Sequence, residues 1–196
     1  MTLKLEAKVV FEQWKYLYEN KNKYGQVLLI NYPSIDDDKK KIGHNHKMNI
    51  NEYESSFHEL SNSNKCSVVF NDGGIICFNY LFDDEGMIVE HHLNFFPCPY
   101  NDEENIEVIM SKLVRIDFEE VGYKASEHSK VHFHSGKYST LRMPFINWVS
   151  PLEFFSFILV HFYKSKSSDI LEKICHESRK TMCDEENGTF ALSFVK

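Results

Sequence analysis

Apolar residues recur at three-to-four spacing over residues 3–22, where Leu3, Ala7, Val10, Phe11, Trp14, Leu17 and Tyr18 form one stripe. That period predicts an amphipathic helix, and Gly25 marks its stop. Residues 26–32 carry Val27-Leu28-Leu29-Ile30 and read as a short buried strand ended by Pro33. From 34 to 49 the chain turns polar, with Asp36-Asp37-Asp38 followed by Lys39-Lys40-Lys41, the pattern of a solvated loop. Asn51 and Glu54 stand as an N-cap and N3 pair for a short helix through Phe57 and Leu60. A meander follows: strands over 66–70, 75–82 and 87–96, with turns at Asn71-Asp72-Gly73-Gly74 and Asp83-Asp84-Glu85-Gly86. Pro97 and Pro99 end the third strand.

Clean alternation returns at Val114-Arg115-Ile116-Asp117-Phe118-Glu119 and again at Val131-His132-Phe133-His134, and both read as strands. Ser135-Gly136-Lys137 predicts a hairpin turn into 138–143. Ser150, Pro151 and Glu153 form the strongest local signal, an N-cap, an N1 proline and an N3 acid. The helix they open, 151–163, is apolar on nearly every side, so it lies deep in the fold or at a subunit interface. A last helix over 169–182 and a terminal strand around Phe190, Leu192 and Phe194 complete the pattern. Without an internal repeat or linker, residues 1–196 read as one α+β domain, a mainly antiparallel sheet with helices packed on one face.

Strand alternation also sorts side chains by face. With Val89, Leu93, Phe95, Ile116, Phe118, Val131 and Phe133 toward the helices, the other face collects Glu90, His92, Asn94, Arg115, Asp117, Glu119, His132 and His134. His128 joins them if the chain is extended from there on. Three chemistries fit such a face. Two imidazoles about 7 Å apart along a strand can reach one divalent metal, with His128 or Asp117 as a further ligand beside His132 and His134. Alternatively, one histidine serves as base and another as acid in phosphodiester cleavage, while Arg142 or Arg115 steadies the charge and Asp117 assists. The third is recognition of a polar ligand or partner through the arginines. A solvated sheet face carrying His-x-His with no function at all competes with these three.

Bulk properties narrow the choice. The chain has 196 residues, a formal charge of −7 and 42% hydrophobic content, enough for a packed core. Its acidic balance disfavours general coating of nucleic acid, which needs concentrated basic surface, but leaves nucleic acid open as a local substrate. Five cysteines with no Cys-x-x-Cys spacing read as reduced thiols. Neither a signal-peptide core nor a membrane-length apolar run is expected, which predicts a cytoplasmic protein. No nucleophile elbow or phosphate-binding glycine loop is present, which argues against esterase, kinase and nucleotide-cofactor readings and leaves a divalent metal as the one cofactor in view.

Three pieces of the chain resemble a bacterial family catalogued as domain of unknown function 2290. They are the meander from Val69-Phe70-Asn71-Asp72-Gly73 through Asn79-Tyr80-Leu81-Phe82 to Leu93, Phe95, Pro97 and Pro99; Arg115-x-Asp117 with His128, His132 and His134; and Pro144 with Ser150-Pro151, Phe154, Phe157-Ile158 and Phe162-Tyr163. The likeness is strongest over about residues 65–163. Where the family has a proline after the first histidine, this chain has Ser129. The resemblance implies a bacterial cytosolic protein and transfers no reaction. The central motif is also similar to some small toxins of toxin–antitoxin pairs. From these likenesses we expect an accessory or effector component of a phage-defence or toxin–antitoxin system. It would act with a protein partner or as a homo-oligomer, with a nuclease, metal-dependent or metal-independent, as the enzymatic alternative.

Overall fold

The computed structural model describes residues 5–100, 105–120, 130–136 and 148–163. Among these residues eight strands form one antiparallel sheet: β1 (Val27–Ile30), β2 (Ile35–Asp36), β3 (Lys41–Gly43), β4 (Val68–Phe70), β5 (Ile75–Phe82), β6 (Ile88–Phe96), β7 (Val114–Glu119) and β8 (Val131–Ser135). The main path runs β1-β4-β5-β6-β7-β8, and the β2–β3 hairpin pairs through β3 with the second half of β5. Four helices accompany the sheet among the described residues: α1 (Leu5–Glu19), α2 (Tyr53–Ser61), α3 (Ile106–Ser111) and α4 (Pro151–Tyr163). This is the expected α+β arrangement with an antiparallel sheet.

The larger core lies between the sheet and α1 with α4. Val10, Trp14 and Leu17 of α1 and Phe154, Phe155, Ile158 and Leu159 of α4 close over Phe78, Tyr80, Leu93, Ile116 and Phe133. Full burial of each such side chain contributes about 1.5–3 kcal/mol. Trp14 meets the Phe78 ring edge-on at 5.1 Å and donates its indole N–H to the Asn31 carbonyl at 2.8 Å. At the far end of α4, Tyr163 stacks on Phe70 at 4.2 Å and donates to Asp72 Oδ1 at 2.9 Å. The aromatic helix is thus a core helix of its own chain. On the opposite face a second apolar cluster joins Ile75, Cys77 and Phe96 to α2 and α3. It covers one end only, which leaves the rest of that face over β6, β7 and β8 to polar residues.

Two local expectations are corrected. The strand around Val27-Leu28-Leu29-Ile30 is not buried: it is the edge of the sheet among the described residues, with Leu28 69% exposed and only Ile30 fully buried. A register shift between Val27 and Leu29 accompanies this partial exposure. The charged segment 34–49 is not simply a loop, because Ile42 buries under α1 and pulls β3 into the sheet. Gly43 ends that strand at φ +89°, where any Cβ would collide with the Phe78 carbonyl. His91, in phase with Leu93 and Phe95, lies with them on the helix-facing side, fully buried. The predicted strand over 138–143, helix over 169–182 and terminal strand near Phe190 lie outside the described residues. Cys66, Cys77 and Cys98 are free thiols, and burial raises Cys66 to about 11.

Candidate functional site

Antiparallel register places the polar residues in crosswise rows. Asn79, His92, Asp117 and His132 form one row across β5, β6, β7 and β8. Asn94, Arg115 and His134 form the next, and Glu90 faces Glu119 on the other side. Core-facing residues, apolar except for His91, alternate with these along the strands, which turns the polar set to the opposite face.

His92 is the hinge of the cluster. Its Nδ1 lies 2.8 Å from Asp117 Oδ1 and its Nε2 lies 2.5 Å from Glu90 Oε1. A carboxylate only accepts hydrogen bonds, so both ring nitrogens donate and the ring is an imidazolium. The hydrogen bond to Asp117 is the main cause that raises its pKa; the Asp117 charge and Glu90 add to it against the cost of burial. Asp117 uses its second oxygen on Arg115, whose Nε donates at 2.6 Å. Burial pushes the Asp117 carboxyl up, but the His92 hydrogen bond and the nearby charges outweigh it and hold it below the usual carboxylate range. Arg115 Nη2 in turn donates to His134 Nε2 at 3.3 Å. The same nitrogen is 3.7 Å from Asp117 Oδ2, too long for a hydrogen bond. An alternating chain results: Glu90, His92, Asp117, Arg115, His134.

Arg115 is the most exposed member of this chain. The Arg115 side chain is 53% exposed whereas Asp117 is 15% exposed. The His132 and His134 rings stand 6.4 Å apart, centre to centre, at 81°. Arg142 and His128 lie outside the described residues. Among the described residues no group of three His, Cys, Asp or Glu side chains could hold a metal ion; both Asp117 oxygens already face His92 and Arg115. His44 and His46 lie in the segment after β3. Burial, then Lys41 and Lys65 nearby, lowers the pKa of His44; burial and Lys65 lower that of His46.

Sequence sorting overlooked Asn79, whose amide is 1% exposed and has no hydrogen-bond partner among the described residues. Its alternation with Phe78 and Tyr80 was the available signal. His91, adjacent to His92 but on the opposite face, accepts from the Val149 N–H through Nε2 at 3.0 Å. Burial drives its pKa down to about 3, so it stays neutral beside a charged neighbour. Among the described residues no helix is long and apolar enough to cross a membrane.

No curated protein and no solved structure matches the chain. One family does, under the description "Uncharacterized conserved protein (DUF2290)", with its sequence model covering residues 15–194. That span takes in every strand of the sheet and every member of the polar cluster, and the chain belongs to this family.

Proposed function

We propose that the His132, His134 and Arg115 corner acts on a phosphodiester without a metal, within an effector of a phage-defence or toxin–antitoxin system. The observation that carries this reading is the pair of imidazoles 6.4 Å apart beside a guanidinium tied to Asp117. One imidazole takes the proton of the attacking hydroxyl and the other returns a proton to the leaving oxygen. Arg115 meets the charge that builds on the non-bridging oxygens. Because the overall charge is −7, the reading concerns a local substrate and not a long track of nucleic acid. The effector role brings a protein partner or a second copy of the chain. A docking surface on α4 would have to use its exposed side around Val160 and His161, since Phe154 and Phe155 are buried.

The test is cleavage of labelled RNA and DNA oligonucleotides in the presence of a chelator. Wild type should cut one of them. His132→Ala and His134→Ala should each lower the rate about a hundredfold while melting stays within a few degrees of wild type. Equal loss of folding in both variants would assign these histidines a structural role. Wild-type activity that appears only with added metal would refute the metal-free mechanism.

A further inference from the structure

We propose that His92 is the positioning residue of this corner: doubly hydrogen-bonded to Glu90 and Asp117, its imidazolium allows the Arg115–His134 edge to take an oxyanion, and loss of its proton closes that edge. The proposal rests on the phosphodiester reading above and adds its regulation by pH.

The geometry carries it. Glu90 and Asp117 are anions, His92 and Arg115 cations, so the four together are neutral while His92 keeps both protons. Remove one and the set becomes a net anion beside the place where a second anion must bind. One carboxylate would also face a nitrogen lone pair at 2.5 or 2.8 Å, which is repulsive, so one of the two contacts must break. If it is the Asp117 contact, the carboxylate that holds Arg115 loses its anchor. The other groups facing this ring act in the same field. On its own strand the only acid is Glu90, which Lys41 of β3 attracts. β7 supplies Asp117, Arg115 and Glu119, the last directly opposite Glu90 in register. β5 supplies the uncharged Asn79, and β8 supplies His132 and His134. His91 lies on the other face and is neutral.

The experiment uses the full chain and dimethyl phosphate, which stays a monoanion over the range. Binding is measured by NMR titration from about pH 6 to about pH 9, through and above the ordinary histidine range. Wild type should lose about tenfold in affinity across that window, the order expected for one added charge in a partly exposed site. The His92 ring nitrogens should both read as protonated at the acidic end. His92→Gln should bind weakly at every pH with a flat profile. The double variant His132→Gln with His134→Gln is the control for the other two imidazoles of the site. It should bind less tightly and keep the same relative drop. A His92 ring with one bare nitrogen at pH 6, or His92→Gln with the wild-type profile, overturns the role of His92 and leaves the phosphodiester reading standing. Absence of dimethyl phosphate binding to wild type at every pH overturns both.

Discussion

Asn79 shows how a single residue can run against the rest of its strand. Every other inward or outward position of β5 is filled by a side chain that suits burial, yet here a fully buried amide has no partner among the described residues. An unpaired buried amide costs about 1–3 kcal/mol. Leucine has nearly the same shape and no polar atoms, so Asn79→Leu is expected to gain about 1 kcal/mol and to raise the melting temperature by about 2–4 °C. Urea and thermal denaturation measure this. A loss of stability of the size of a core truncation would show instead that the amide is bonded in solution. Residue identity alone could not reveal this: an asparagine in an alternating strand looks like an ordinary solvated position until β3 and β6 pair on either side of it and the position is buried.

At the scale of elements, α4 is the part whose local chemistry and tertiary setting agree. Ser150 Oγ accepts from the Glu153 N–H at 3.3 Å, and Glu153 Oε2 accepts from the Ser150 N–H at 2.8 Å. This reciprocal cap, with Pro151 at the first helical position, starts the helix where the spacing predicts it. Ser150→Ala should therefore cost about 1 kcal/mol, read by chemical denaturation. The double variant with Glu153→Ala should cost less than the two single changes combined, because the two hydrogen bonds form one motif; additive losses would separate them. The same comparison explains the failure at β1. Val27 to Ile30 has the composition of a buried strand, but composition reports affinity for burial and not position in the sheet. With β4 on one side and no further strand on the other among the described residues, Leu28 and Leu29 stay exposed.

For the whole molecule, two consecutive histidines bound the pH range of stability from opposite sides. His91 is neutral in the core, with its pKa lowered to about 3. Its contribution is complete above the unfolded value of about 6.5 and is lost as pH falls from there toward 3. His92 has a raised pKa, so its contribution is complete below about 6.5 and is lost as pH rises through the folded value. Unfolding free energies measured across pH should form a dome, with His91→Gln flattening the acid arm and His92→Gln the alkaline arm. If both variants left the dome unchanged, the two side chains would not be its cause. Asp117, held below the usual range, adds to the acid arm at still lower pH.

The periodicities, caps and turns are local properties, so helix α4, the meander and the sharing of one face by Arg115, Asp117, His132 and His134 could be read from residues in order. Face-sharing within a strand needs only the alternation of side chains. Register between strands is a different matter, because it depends on how distant segments pair. It was register that set His92 opposite Asp117 and Asp117 opposite His132, and joined Glu90, His92, Asp117, Arg115 and His134 into one chain of hydrogen bonds. The opposite fates of His91 and His92 arise in the same way. Adjacent in sequence and identical in chemistry, they differ because one faces Phe118 and Tyr80 beneath the helices and the other faces two carboxylates. Protonation follows the surroundings, and the surroundings exist only once the sheet has formed.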